Sequence, residues 1–527
     1  MKEMNKIKGI KMPLAEKKEL ISYTKDYPQW VHFGGGNLFR AFHAEIAQKL
    51  VDKKEMKSGI IVCETFDEQV IDSAYHPYDN NILEVIMYDD GELEKKLLNS
   101  VVDSYFCQPM NQSDYQAVQA IFETPFLQMI TVTITEKGYL LTDSFGELST
   151  AVKRDIESGP AHATHTMSII TSLLFHRFIN GANPLAVIST DNFSKNGQKF
   201  QEAVVKVATE WERLGYVNNL FIEYLLDTTK ITFPWTMIDR ITPNPSSDVL
   251  EKLRAQGIEG LSLIHTEKGT NIAPFANTEQ THYLVIEDEF PNGRPALEEA
   301  GVILTTREIV DKADAMKVTA CLNPLHTAMA IFGCLLGYQS IAEEMNDEDI
   351  CQLVRGVGYK EGLPVVENPG IIHPQTFLDE VITKRLPNPM IPDTPQRIAA
   401  DTSQKVSIRF GETIKKYVNE QGTAESLVYI PLSIAGWLRY ILGIDDEGKQ
   451  TQLSPDPLLH ELQEKLGEIS LGYTGDIHQI VAPILSNSAI FGINLYEAAI
   501  GEKIEGYFKK MIGKEGAVRQ TLHETVQ

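Results

Sequence analysis

The sequence predicts an α/β domain built on a largely parallel sheet, followed by a mainly helical domain. Three observations carry that reading. Runs with the look of buried strands (QWVHF, GIIVCE, ILEVIMY, FLQMITVTI, PLAVIST) are separated by helical patterns through the first part of the chain. From about residue 300, helical patterns such as TAMAIFGCLLGYQSIAEEMN and ESLVYIPLSIAGWLRYIL take over and strand-like runs nearly vanish. At 527 residues the chain is also too long for one hydrophobic core. The division is expected at 303/304.

Taken in order, QWVHF is a strand, and GGGNLFRAFHAEIAQKLVD has apolar residues at helical spacing. GIIVCE is the next strand, so the three make a strand–glycine turn–helix–strand unit. In such a unit, glycines let the backbone approach a pyrophosphate at a helix N-terminus. Gly34, Gly35 and Gly36 stand at that turn, followed by Asn37, Leu38, Phe39 and Arg40. The third glycine of GxGxxG is missing, the pattern reads GxGxxxR, and Arg40 can supply charge to a phosphate. Glu64 ends the second strand, where a carboxylate grips an adenosine ribose and repels a 2′-phosphate, which favours NAD over NADP. These residues make the first domain, 1–303, a Rossmann-type NAD-binding domain. The bland alternative is a tight turn with no ligand. In the second domain, RLPNPMIPDTPQR carries four prolines and should be an ordered turn cluster between helices.

The formal net charge of −24 argues against nucleic acid or an acidic membrane as partner and favours a small molecule. Cys63, Cys107, Cys321, Cys334 and Cys351 show no CxxC pair and no zinc-like spacing, so we expect reduced thiols, no metal and a cytoplasmic location. The N-terminus lacks an apolar signal region, and the longest apolar run, AMAIFGCLL, is too short to span a bilayer. A monomer or small homo-oligomer is expected.

Five ordered segments carry a family likeness: TITEKGY (133–139), STDNFSKNG (189–197), TFPWTMIDRITPNP, YLVIEDEFPNGRPALEEAGV (283–302) and RIAADTSQK (397–405). Together they resemble the long-chain, metal-independent polyol dehydrogenases of carbohydrate metabolism, the mannitol dehydrogenase and fructuronate reductase family, from about residue 29 to about 440. The resemblance implies a catalytic set of Lys317, Asn323 and His326, with Asn192 of the DN pair joining Asn323 at the reacting oxygen. It implies that Arg397 and Lys405 hold the substrate chain and that Asp239 is structural.

The chemistry agrees with those roles. Oxidising a secondary alcohol needs a base on the hydroxyl proton while hydride leaves for nicotinamide. A lysine buried beside other cations loses affinity for its proton, two amides can steady an alkoxide without titrating, and a histidine can orient a neighbouring hydroxyl. Standing alone, such a lysine would be a snorkelling surface residue and such a histidine a satisfied core group. Their joint appearance in family order is what argues otherwise.

One departure stands out. The family places asparagine five and histidine eight residues after lysine, whereas KVTACLNPLH places them at six and nine. On an unbroken helix, at about 100° per residue, Lys317 and His326 would face opposite ways. Pro324 suits the first turn of a new helix, so a break or a π-bulge is expected here.

The expected activity is that of an NAD-dependent secondary-alcohol dehydrogenase acting on an open-chain sugar acid or polyol. By resemblance the first choice is D-fructuronate/D-mannonate, since the chain length and motifs look like the longer fructuronate reductases and Arg397 with Lys405 can accommodate a carboxylate. Mannitol 2-dehydrogenase and tagaturonate reductase are the alternatives. A non-catalytic NAD-binding regulator is the different-class alternative, and it has no reason to keep Lys317, Asn323 and His326 together.

Overall fold

Trp30–Phe33 is buried at all four positions, as a strand covered on both faces must be. In the computed structural model, which describes residues 9–143 and 146–527, it is strand β1 of a six-stranded parallel sheet. The other strands are β2 (Ile60–Glu64), β3 (Val101–Phe106), β4 (Met129–Val132), β5 (Leu185–Ser189) and β6 (Ile231–Thr232). Their spatial order is β3-β2-β1-β4-β5-β6, and every pairing is parallel. This is the Rossmann order, which reverses direction between β1 and β4 and leaves a crevice at the carboxyl end of β1. The glycine turn begins there.

ILEVIMY is a strand, Ile82–Met87, but it belongs to a second sheet. It pairs antiparallel with Leu93–Leu98 and parallel with Phe275–Glu279. The Tyr88 amide donates to the Glu92 carbonyl across Asp89–Gly91, and this tight hairpin returns the chain antiparallel. A third sheet joins Thr236–Asp239, Tyr283–Glu287 and Ile303–Thr305. The first eight residues, part of the charged N-terminal stretch, lie outside the described residues.

The chain divides into two compact units, residues 1–88 with 92–311 and residues 89–91 with 312–527. The second is helical. Its helix Tyr429–Ile441 is buried at every position, the pattern of a central core helix. Glu361 caps that helix, accepting the Tyr429 and Ile430 amides at 2.8 and 2.7 Å. Contrary to the apolar-run argument, the stretch Arg307–Leu336 is long and apolar enough to cross a membrane by length and composition, but 78% of its apolar window is buried inside the fold. The proline-rich segment is an ordered set of turns between a π-helix ending at Arg385 and a short helix, Pro395–Ile398.

Candidate active site

The glycine turn is built into the end of β1. Gly34 has φ +105°, and a side chain there would meet the Thr133 carbonyl oxygen at 2.0 Å, so only glycine fits. Its amide donates to the Cys63 carbonyl at 2.8 Å, which ties the turn to β2. Gly35 donates to Glu64 Oε2 at 2.8 Å, and its carbonyl accepts the Tyr75 hydroxyl at 2.7 Å. A side chain at Gly36 would meet nothing within 4 Å, so the space over the turn is open. Asn37 and Leu38 then begin a helix that passes through a π segment at Phe39–His43 into Ala44–Asp52.

Two expected cofactor residues take unexpected postures. Arg40 is fully buried beneath the turn rather than at its mouth, with its guanidinium 5.7 Å from the centre of the Tyr75 ring. The extra residue accommodated by the π turn Phe39–His43 changes the direction in which its side chains leave the helix. Arg40 Nη1 reaches the Phe275 carbonyl only at 3.4 Å, while Nε and Nη2 have no hydrogen-bond partner, and burial lowers its pKa. Glu64 is buried too. Its Oε1 accepts the amides of Thr65 and Phe66 at 3.0 and 2.9 Å while Oε2 holds Gly35, so the carboxylate staples β2 to the glycine turn.

The DN pair follows β5. Asn192 is exposed, but neighbouring Asp191 is buried, and sequence reasoning passed over it. Asp191 accepts the Ile134 and Thr135 amides at 2.8 and 2.9 Å and the Tyr139 hydroxyl at 2.8 Å, fastening TITEKGY to STDN. Burial raises its pKa, opposed by those hydrogen bonds. Asn196 then donates to the Asp191 carbonyl at 3.0 Å and to Thr236 Oγ1 at 2.8 Å, bolting this turn to the TMIDR strand. Asp239 is buried at the end of that strand. Arg240, also buried, donates to Glu45 at 2.7 Å, Glu84 at 3.1 Å and Thr278 at 2.7 Å. The segments of the first unit that carry the family likeness therefore interlock as scaffold.

In the second unit, Lys317–Cys321 is a π-helix. The Leu322 amide donates to the Lys317 carbonyl at 3.1 Å, five residues back, and Leu322 leaves helical geometry at φ −134°. Asn323 opens a new helix with Pro324 in its first turn, and the His326 amide already bonds Leu322. The wide turn takes up the extra residue of VTACL, as the spacing required.

Lys317 is almost wholly buried, and its neighbour is an anion, Asp314, at 3.3 Å. To the setting expected from the sequence, a lysine beside other cations, the structure adds a carboxylate. Asp314 lies one turn back on the same helical face, so it reaches the amine first. Asn323 and His326 are both partly buried. Burial first pushes the His326 pKa down to about 4, with Asp393 opposing and Arg385, Arg409 and Arg397 adding to the fall. Arg397 makes a bidentate pair with Asp393 at 2.7 and 2.6 Å, and its side chain is 69% exposed. Lys405 donates to the Ala400 carbonyl. Asp393 was missed, although its place four residues before Arg397 on a turn leading into a helix was a readable signal. A cavity of about 450 Å³ in the first unit, lined by Ile21, Val102, Tyr105 and Ile121 among others, contains none of the expected site residues.

A Rossmann-ordered sheet with a glycine turn, followed by a helical unit carrying the Lys–Asn–His segment, defines a nucleotide-fold oxidoreductase class. Residues 28–299 match the mannitol dehydrogenase Rossmann domain and residues 310–512 the mannitol dehydrogenase C-terminal domain, and the chain belongs to this family. Among its relatives, the D-mannonate oxidoreductase of Thermotoga maritima is 50% identical over 521 residues, covering 98% of this chain and 96% of the relative. Two solved structures share the fold. A D-sorbitol dehydrogenase in substrate-free form superposes with TM-score 0.79 at 22% identity, covering 97% of each chain. The Pseudomonas fluorescens mannitol 2-dehydrogenase in ternary complex with NAD and D-mannitol gives 0.73 at 23% identity, covering 99% of this chain and 98% of that one.

Proposed function

We propose that this chain is an NAD-dependent, metal-independent secondary-alcohol dehydrogenase interconverting D-fructuronate and D-mannonate in the cytoplasm. Residues 1–303 bind the cofactor and residues 304–527 carry substrate-binding and catalytic groups. The observation that carries the reading is the 50% identity to the D-mannonate oxidoreductase over nearly the whole of both chains. Cations around His326 suit an acidic substrate, and the five thiols are unpaired, as a reducing compartment requires.

The residues of the glycine turn fit a dinucleotide. Gly36 leaves open space over the turn, and the buried Arg40 keeps two unpartnered N–H groups beneath it, a positive field without a local counter-charge. Gly34, Gly35, Gly36, Asn37, Leu38 and Phe39 would hold the pyrophosphate through the backbone, with Arg40 contributing charge from below. NAD, when bound, accepts or returns the hydride. Glu64 positions the turn, and its remaining accepting capacity serves the ribose.

In the alcohol-oxidising direction, Lys317 Nζ takes the hydroxyl proton, and the buried Asp314 carboxylate steadies the amine. The side-chain amide of Asn323 donates to the reacting oxygen. His326, neutral at working pH, orients a neighbouring hydroxyl, and Arg397 and Lys405 hold the rest of the substrate chain. The test is a panel of D-fructuronate, D-tagaturonate, D-fructose and D-fructose 6-phosphate with NADH and NADPH. D-Fructuronate with NADH should give the highest kcat/KM, and a preference for D-fructose would overturn the reading.

A further inference from the structure

Resting on the reading of a sugar-acid substrate, a question remains about the second unit: which cation meets the carboxylate? Arg397 is already forked onto Asp393, and Lys405 is engaged with the Ala400 carbonyl. Arg385 is buried.

Arg409 differs from these. It stands on the π-helical segment Ser407–Gly411, which packs against the π-helical segment Lys317–Cys321. The Thr413 hydroxyl donates to the Thr319 carbonyl at 2.9 Å, tying the two together. A side chain at Gly411 would meet the Phe491 carbonyl oxygen at 2.0 Å, so the Arg409 segment is held from behind as well. Arg409 Nη1 donates to Thr327 Oγ1 at 2.6 Å, and that hydroxyl donates on to the Asn323 carbonyl at 3.1 Å. The guanidinium is thus oriented by the same helix turn that carries Asn323 and His326.

Its other edge is open. Among the described residues Nε and Nη2 make no hydrogen bond, no carboxylate pairs with them, and neither atom is sealed from solvent. These two N–H groups lie on one side of a planar guanidinium, the fork geometry that matches both oxygens of a carboxylate. A half-buried cation with no protein counter-charge on its open edge gains from an anionic ligand that completes its hydrogen bonds.

We propose that Arg409 is the residue that binds the substrate carboxylate, through Nε and Nη2, and that it sets the preference for sugar acids over neutral ketoses and polyols. Arg397 and Lys405 then serve the hydroxyl-bearing part of the chain.

The test compares the wild type with Arg409→Gln and Arg409→Lys, each checked for an unchanged thermal transition. With NADH saturating, the ratio of kcat/KM for D-fructuronate to that for D-fructose should fall about 100-fold in Arg409→Gln, the order expected on truncating one partner of a forked charge pair closed over by its ligand. It should fall about tenfold in Arg409→Lys, which keeps the charge but loses the fork. Calorimetry should show weaker D-mannonate binding in Arg409→Gln, with D-mannitol as the neutral comparison. If Arg409→Gln fails to fold, Arg409→Lys carries the test. An unchanged ratio, or D-mannonate bound as tightly by the variants as by the wild type, overturns the assignment. Failure of the broader reading shows separately, as a wild type that does not reduce D-fructuronate.

Discussion

The Lys317 ammonium lies 3.3 Å from the Asp314 carboxylate, one turn back on the same helical stretch, with only 1% and 9% of the two side chains exposed. Both charges are out of water and close together, so removing either one takes a counter-charge from the other. The pair also sits where the α-helix Arg307–Met316 widens into the π-helix that takes up this chain's extra residue.

Lys317→Ala is therefore expected to lower turnover by roughly a hundredfold or more, the usual worth of a positioned acid–base group. NADH affinity should change little. Asp314→Asn should lower turnover less, by about tenfold, because it removes the partner that steadies the amine and leaves the amine itself in place. Steady-state kinetics with NADH fluorescence titration checks both. A Lys317→Ala enzyme with near-normal turnover would assign the base elsewhere.

Glu64 makes a different prediction from a simple ribose ligand. Because its carboxylate holds Gly35 and the amides of Thr65 and Phe66, Glu64→Ala should loosen the glycine turn as well as narrow the preference for NADH over NADPH. The KM for NADH should rise about tenfold, in line with losing a charge-assisted hydrogen bond. Glu64→Gln, which keeps an acceptor for Gly35, should retain more of the affinity. An Ala variant with an unchanged KM for NADH would contradict the stapling role.

His326 predicts a stability profile. Its folded pKa, pushed down to about 4 by burial and by its arginine neighbours, lies below the ordinary value of 6.5. Between those two pH values the unfolded chain binds the proton and the folded chain does not. The contribution is therefore complete above about pH 6.5 and lost as pH falls towards 4. Replacing His326 with Gln should flatten the pH dependence of the thermal transition within that window, measured by calorimetry at matched ionic strength. An unchanged slope would place the ring in water.

How much of this could be read beforehand follows from what each signal encodes. QWVHF-GGG-helix-GIIVCE was readable because a strand buried on both faces is a continuous apolar run, and because a glycine with positive φ has no substitute at Gly34. ILEVIMY was readable as a strand, but not its sheet, because an apolar run does not name its neighbours. The π-bulge at Lys317–Cys321 was readable from one extra residue and Pro324, since helix geometry left few ways to spend them. The burial of Arg40 and Glu64 beside the glycine turn was not readable, because motif spacing fixes backbone position and leaves side-chain direction to packing. Asp314 stood three residues before Lys317, a helical spacing whose value depends on both side chains being buried, which the sequence does not show. Arg409 carried no pattern, because its meaning depends on which neighbours packing brings to its two edges.

A preference for an acidic ketose with NADH is tested by the wild-type kcat/KM for D-fructuronate against D-tagaturonate and D-fructose, each with NADH and NADPH. D-Fructuronate with NADH should exceed D-fructose with NADH by at least about tenfold, the scale set by one well-placed charge contact, and should exceed D-tagaturonate and every pair with NADPH. Equal or faster reduction of D-fructose, or faster turnover with NADPH, would contradict it.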